Sequence, residues 1–259
     1  MLLFKTSFIW LTLGVVLSCT SCKNLRNQTP EASEQQKQHA AYDDSTLNRN
    51  TLPVMMPYNR LIDPAGTVVT YGNPELENHS LDLMALPGTN YFAVEDRYGI
   101  AILDTKTHHI LTQWAYTAEP QYKGFMSTYS GIQVRQRGTQ TQIFWSAANP
   151  NNHESAVFEA TWNGKSIRIT NTFSFKPEAP SPLALPNEVA VQEENGKDYL
   201  YVVLNGNNKL VKIAVDSKAV VWSVNTGVSP YGIAVCNGKM YVTNWGGNVP
   251  EAPTGQQIS

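Results

Sequence analysis

Hydrophobic and polar residues alternate along the chain from about Asn78, in short runs separated by turn-forming residues. A period of two is the pattern of a β-strand with one buried face, and turn signals roughly eight to twelve residues apart are typical of all-β folds. The first four runs predict four short strands, at 81–86, 91–94, 100–103 and 110–116.

This four-strand pattern then recurs along the chain. Matching positions at the ends of the first strands are Leu83, Val134, Val191 and Val235, which lie 51, 57 and 44 residues apart. A four-stranded unit at this period predicts a propeller blade, whereas the competing β-sandwich lacks such internal similarity. The predicted fold class is therefore an all-β propeller of four-stranded blades, with about three and a half blades present and the last one incomplete.

Two Asn-Gly pairs, Asn195-Gly196 and Asn237-Gly238, fall where the third and fourth units need tight hairpin turns. Both central residues of such a turn take positive φ, which Asn and Gly tolerate best. Thr67–Tyr71 has the composition of a further outer strand, so it is a candidate to complete the last blade and close the propeller. One added strand would still leave that blade short.

The N-terminus has a different pattern. Residues 1–22 place Lys5 before an apolar core at 8–17, which is the size of a signal peptide. The core ends in Val16-Leu17-Ser18-Cys19, which resembles a bacterial lipobox with Cys19 as the lipidated residue and Cys22 as the fallback. An ordinary signal peptide is the alternative.

Residues 23–52 are polar and without apolar periodicity, as in a flexible tether or a processed pro-segment. The predicted domains are thus 1–22, 23–52 and a partial propeller at 53–259. The predicted location is the bacterial cell envelope, on the periplasmic side or the cell surface, held to the membrane by the lipid anchor alone.

Composition narrows the function classes. The chain has 259 residues, of which 19 are Lys or Arg and 21 are Asp or Glu, for a net charge of −2. This balance argues against a nucleic-acid binder with a broad cationic surface. Cys236 is the one cysteine outside the leader, so no disulfide is expected within the body, and its place late in a strand predicts a small packed residue.

Several runs resemble a known family more closely. Pro230-Tyr-Gly-Ile-Ala-Val and Gly238-Lys-Met-Tyr-Val-Thr-Asn resemble the repeat of YncE-like, lactonase-type seven-bladed propellers. Met56-Pro-Tyr-Asn-Arg-Leu-Ile-Asp-Pro and Tyr241-Val-Thr-Asn-Trp-Gly-Gly resemble bacterial bifunctional proteins in which such a propeller precedes an alkaline-phosphatase-superfamily phosphoesterase domain. The resemblance implies that this chain covers part of the propeller half. It also implies that a phosphoesterase domain with a Ser/Thr nucleophile and paired metals belongs to the complete protein.

The usual catalytic signatures of metalloproteases, α/β-hydrolases and nucleotide-binding loops are missing from the sequence. Blade topology nevertheless predicts one candidate surface, because first strands begin and second strands end at the same face. First strands begin there near His79, Asn187-Glu188 and Tyr231. The candidate ligand or metal residues at this face are Glu95, Asp96, Asn149, His153, Asn187, Asn205, Asn244 and Trp245.

Carbonyl and carboxylate oxygens that converge on a channel suit a hard cation or a polyol, so a divalent metal (calcium or zinc) and a small-molecule or polyol ligand are both candidates. The alternative is that each Asn caps a turn and that Trp245 packs between blades.

Three functions remain open at this point. The first is a lipid-anchored, extracytoplasmic ligand-binding or scaffold module that is not catalytic alone. The second is a metal-dependent hydrolase, either a phosphoesterase or lactonase-like. The third, single-stranded nucleic-acid binding, is suggested by the YncE resemblance alone and opposed by the charge.

Overall fold

The computed structural model describes residues 53–64, 66–73, 75–76 and 79–249. The predicted signal peptide, Cys19, Cys22 and the tether at 23–52 lie outside the described residues. The described residues divide into two compact units, with the boundary between Val68 and Val69. In the first unit, β1 (Val54–Met56) and β2 (Arg60–Ile62) pair as a hairpin around a 3-10 turn at Pro57–Asn59.

The second unit consists of antiparallel sheets whose strands follow one another in chain order. Blade 1 contains β3 (Ser80–Ala85), β4 (Tyr91–Asp96), β5 (Gly99–Asp104) and β6 (His109–Ala115). Blade 2 contains β7 (Met126–Ser127), β8 (Gln133–Arg137), β9 (Gln140–Asn149), β10 (Glu154–Trp162) and β11 (Ile167–Phe175). In blade 2 both β7 and β8 pair with β9, so together they occupy the place of one first strand.

Blade 3 contains β12 (Pro186–Glu194), β13 (Lys197–Leu204), β14 (Lys209–Ala214) and β15 (Val220–Asn225). The fourth sheet has two strands, β16 (Pro230–Cys236) and β17 (Lys239–Asn244). Three full blades and half of a fourth confirm the predicted partial β-propeller.

The core lies between successive blades, as expected for sheets that pack face to face. One apolar cluster joins blades 1 and 2 through side chains such as Trp114, Trp145 and Phe158. A second joins blades 2 and 3, and a third joins blade 3 to the β16–β17 hairpin, with Tyr201 and Ile233 among its members. Each blade therefore buries one face against the next.

The turn chemistry matches the sequence prediction at both Asn-Gly hairpins, and a third turn is held by a side-chain cap. Asn195 and Gly196 have φ of 51° and 75°, and Asn237 and Gly238 have 50° and 70°, as the hairpins require. Asn163 instead caps its turn through Oδ1, which accepts from the backbone N–H groups of Lys165 and Ser166 at 3.0 and 2.9 Å.

Two further expectations are wrong. Thr67–Tyr71 forms no strand. Cys236 is exposed rather than packed, because it ends β16 on the sheet that has two strands.

Candidate functional site

The predicted face exists. In blades 1 and 3 and in the fourth sheet, the residue after the second strand donates its backbone N–H to the carbonyl before the first strand. These bonds join Arg97 to His79, Asn205 to Leu185 and Trp245 to Ser229, each at 2.9 Å. The same bond in three sheets puts the beginnings of the first strands and the ends of the second strands at one end of the propeller.

Two of the predicted asparagines hold backbone together at this end. The Asn149 amide donates to the Lys123 carbonyl at 3.4 Å, and its Oδ1 accepts from the Asn151 N–H at 3.0 Å. The Asn205 amide donates to the Pro230 carbonyl at 3.1 Å and so ties blade 3 to the fourth sheet. The side-chain amides of Asn149 and Asn205 therefore serve turns and blade contacts, as in the alternative in which each Asn has a structural role.

His153 is exposed in the turn between β9 and β10, where its backbone has φ of 62°. Asn244 ends β17, and its Oδ1 is buried with no described hydrogen-bond donor. Trp245 is 67 % exposed and stacks on Tyr231 with ring centroids 4.1 Å apart. The tryptophan therefore lies on the surface, not between blades.

The most unusual of the predicted residues is Glu95. Its side chain is fully buried (0 % exposed), and neither carboxyl oxygen meets a hydrogen-bond donor among the described residues. Its neighbour Asp96 is also buried, but Asp96 Oδ1 accepts from the Tyr98 N–H at 2.8 Å in the β4–β5 turn. Buried carboxyl groups are normally paired, so the oxygens of Glu95 require an explanation.

Two more carboxylates lie near Glu95. Asp82 pairs with Glu95 across the β3–β4 ladder, and Glu188 lies at the beginning of β12 in blade 3. We call Asp82, Glu95 and Glu188 the acidic site. Asp82 was not among the predicted residues. In the structure Asp82 and Glu188 both follow the opening residue of their first strand by two positions, whereas the sequence anchors Leu83 and Val191 do not align them.

The electrostatics of the acidic site are those of like charges brought together. Burial raises the pKa of Glu95 well above its ordinary value, and the charges of Asp82, Glu188 and Asp96 raise it further. Burial and the Asp82 charge raise the pKa of Glu188 to about 7. No cationic side chain contributes to either shift, and burial together with the neighbouring negative charges favours the protonated form of both carboxyl groups.

A loop of blade 2 joins the two acidic strands. The Gly131 N–H donates to Asp82 Oδ2 at 3.2 Å, and the Thr128 hydroxyl donates to the Pro186 carbonyl at 2.6 Å. Gly131 has φ of 121°, and a Cβ there would lie 2.1 Å from the Asn187 carbonyl oxygen. Glycine is therefore required where blades 1, 2 and 3 meet.

The predicted Asn187 lies beside this junction. Its backbone carbonyl accepts a hydrogen bond from the Ser146 hydroxyl. The residue is 1 % exposed, and its Oδ1 meets no donor among the described residues; the same is true of the nearby Ser130 hydroxyl. The junction thus presents several buried oxygen atoms that a ligand's donors would satisfy.

A cleft of about 310 Å³ opens at the same end of the blades. It is lined on the blade 1 side by His79 and Arg97, on the blade 2 side by Ser127 and Thr128, and on the blade 3 side by Leu185. Its volume suits a small molecule.

No group of three or more His, Cys, Asp or Glu side chains within the described ranges is arranged to hold a metal ion. In the same part of the chain, no helix has the length and apolar character needed to span a membrane.

The sequence matches no protein-family model and no curated protein sequence. Among solved structures, a GH32 beta-fructofuranosidase from Bombyx mori aligns with 67 % of this chain and 44 % of its own, at 9 % identity and a TM-score of 0.41. The WD40 domain of SCAP from fission yeast aligns with 63 % of this chain and 40 % of its own, at 9 % identity and a TM-score of 0.38. The chain thus spans less than half the length of either protein.

Proposed function

We propose that this chain is a ligand-binding propeller module and that its ligand is bound at the acidic site. The observation that supports this proposal is Glu95, a fully buried carboxyl group without a described hydrogen-bond donor. Burying such a group costs roughly 1–3 kcal/mol by protein mutational data. Residues retained at such a cost are characteristic of functional sites rather than of structural cores.

The same position in blade 3 supports this interpretation. The strand registers make Val203 the counterpart of Glu95, because Leu204 pairs with Pro186 as Asp96 pairs with Ser80. Val203 is fully buried in the apolar cluster between blade 3 and the fourth sheet. The fold therefore accepts an aliphatic side chain at this position, and blade 1 has a carboxyl group there instead.

The chemistry of the site specifies what its ligand must bring. Carboxylate and amide oxygens accept hydrogen bonds, and the carboxyl oxygens of Glu95 and Oδ1 of Asn187 meet no donor among the described residues. The ligand therefore carries hydroxyl or ammonium donors or is itself a cation. The binding role requires no catalytic group from this chain.

The cellular setting is part of the same proposal. The lipobox resemblance at Cys19 supports an extracytoplasmic module held by a lipid anchor. The YncE-like runs support its association with a phosphoesterase domain in the complete protein. Metabolic labelling with a fatty acid tests the anchor, since a Cys19→Ser chain that still incorporates label at the wild-type level would exclude Cys19 as the lipidated residue.

Thermal unfolding of the purified chain with a panel of small molecules tests ligand binding. The panel contains myo-inositol, glucose, cadaverine, arginine amide and calcium chloride. We expect at least one of them to raise the Tm of the wild type and to have no effect on Glu188→Gln. If no compound raises the Tm, or if the variant responds equally, the acidic site is not a ligand site.

A further inference from the structure

An aromatic platform lies at the same end of the propeller as the acidic site. Tyr231 and Trp245 stack nearly parallel, with an interplanar angle of 14°. The backbone of this segment is fixed, because the N–H groups of Trp245 and Gly246 donate to the carbonyls of Ser229 and Val228 at 2.9 and 3.0 Å. One face of the Trp245 indole is covered by Tyr231, and the side chain is otherwise exposed. The free face of the indole is therefore available to a ligand, on a segment whose backbone is held by hydrogen bonds.

The platform and the acidic site share one loop. The Tyr231 hydroxyl donates to the Tyr129 carbonyl at 3.3 Å. Tyr129 precedes Gly131 by two residues, and the Gly131 N–H holds Asp82. Tyr129 is itself 65 % exposed. The loop of blade 2 that holds Asp82 is therefore also hydrogen-bonded to the Tyr231 ring of the fourth sheet.

Charge distinguishes between the ligand classes that donate hydrogen bonds. The carboxyl groups of the acidic site repel phosphate and attract cations. The faces of Tyr and Trp rings carry negative electrostatic potential, which attracts ammonium and guanidinium groups. The described residues lack a three-ligand metal arrangement, whereas an organic cation needs neither that coordination number nor that geometry.

We propose that the ligand group is an organic cation, an ammonium or guanidinium, which binds the carboxylates of Asp82 and Glu188 and packs against the Tyr231–Trp245 platform. This proposal rests on the proposed function and names the chemical class of its ligand. Fully buried Glu95, which faces Asp82 across the β3–β4 ladder, borders these two partly exposed carboxylates.

Isothermal titration calorimetry of the purified full chain at low ionic strength tests the proposal. The organic cations are cadaverine, arginine amide and an acetylated Gly-Arg-Gly amide peptide, of which the peptide represents an arginine on a protein partner. Myo-inositol, glucose and calcium chloride represent the other classes. The variants are Glu188→Gln and Trp245→Ala. The matched controls are Glu193→Gln, an exposed residue at the far end of the same strand, and Tyr241→Ala, an exposed aromatic in β17.

We expect the organic cations to bind the wild type. Glu188→Gln should weaken that binding at least about tenfold, as for loss of a charge partner at an interface. Trp245→Ala should weaken it about threefold to fivefold, as for loss of a cation–π contact. The two controls should bind like the wild type. Tighter binding of arginine amide and cadaverine than of the peptide would assign the site to small molecules, and the reverse order would assign it to a protein side chain.

Two outcomes would overturn the proposal in distinguishable ways. Binding of inositol, glucose or calcium that depends on Glu188, without binding of any organic cation, leaves the proposed function intact and excludes the cation. If no compound binds, or if Glu188→Gln binds every compound like the wild type, the acidic site is not a ligand site and both proposals fail.

Discussion

Two carboxyl groups are buried at opposite ends of the blades and in opposite ways. Asp198, near the beginning of β13, receives two hydrogen bonds of 2.6 Å from the Arg135 guanidinium and a third, of 2.7 Å, from Arg137. Glu95, near the end of β4, meets no described donor. The arginines hold the pKa of Asp198 below its ordinary value, whereas burial raises the pKa of Glu95.

The difference separates a structural carboxylate from a candidate functional one. Asp198 joins blade 3 to blade 2, and its charge is balanced by two partners within the fold. Glu95 joins nothing that the structure describes, and the charges that shift its pKa are all negative. A buried carboxylate with its partner present contributes to folding, and one without a partner reduces stability and is available to a ligand.

The largest expected effect follows from removing the paired carboxylate. Asp198→Ala leaves Arg135, which is mostly buried, without its partner, and we expect a loss of about 3 kcal/mol in the free energy of unfolding. Urea denaturation at pH 7 measures it. Asp216→Ala, at an acidic residue for which the structure records no ion pair, is the control. A loss below about 0.5 kcal/mol would make Asp198 no more important than an ordinary surface pair.

The opposite change in the free energy of unfolding is expected at Glu95, whose carboxyl oxygens meet no described donor. Glu95→Val gives blade 1 the residue that blade 3 has at Val203, and we expect the free energy of unfolding at pH 7 to rise by about 2 kcal/mol. Glu95→Gln separates the effect of charge from that of shape. If both variants are less stable than the wild type, Glu95 contributes to the structure and the contrast with Asp198 is wrong.

The pH dependence of stability also distinguishes Glu95 and Glu188 from Asp198. The folded pKa of Glu188 is raised to about 7, and that of Glu95 is raised well above its ordinary value. The folded state therefore binds more protons than the unfolded state between about pH 5 and 7, so stability is fully present below this window and falls as the pH rises through it. The lowered pKa of Asp198 acts in more acidic solution, outside this window.

Urea denaturation at pH 5, 6, 7 and 8 measures this slope. We expect the slope to become smaller in Glu188→Gln and in Glu95→Gln and to be unchanged in Glu193→Gln. Equal slopes in all four proteins would show that the acidic site does not titrate in this range.

The smallest effect on stability is expected at the aromatic platform. Trp245 is 67 % exposed, so Trp245→Ala should change the free energy of unfolding by less than about 0.5 kcal/mol. Its loss should shift the tryptophan fluorescence maximum to shorter wavelength, because the buried Trp114, Trp145 and Trp162 remain. A loss above about 1 kcal/mol would mean that Trp245 supports the fold and would weaken its assignment to a ligand platform.

Much of the fold could be predicted because its determinants are local. Alternation along the chain located the strands, and the repeat anchors Leu83, Val134 and Val191 pair with second strands as the blade prediction required. Asn-Gly pairs located two hairpins. The prediction was wrong for Cys236 because the burial of a residue at a strand end depends on which neighbouring sheet packs over it. The sequence of the strand does not indicate that neighbour.

The candidate site could be predicted in part. Topology placed Glu95 and Asn187 at the correct face, because chain direction within a blade is a property of the strand order. It could not distinguish them from Asn149 and Asn205, whose hydrogen bonds run to the backbone of other segments. Asp82 was missed because two interactions single it out, the hydrogen bond from the Gly131 N–H of blade 2 and the effect of its charge on Glu188 of blade 3. Neither interaction can be read from the sequence around Asp82.

The amino-acid sequence by itself therefore determined the strands, the turns and the four-strand repeat, since these follow from side-chain periodicity and backbone preference within a few residues. The packing of one blade on another decided the rest. It buried Glu95 away from every described hydrogen-bond donor, gave Asp198 two arginines and brought Asp82 and Asn187 to the same Gly131 loop of blade 2. Charge and burial act through space over several ångströms, and residues far apart in the chain become neighbours when the blades assemble.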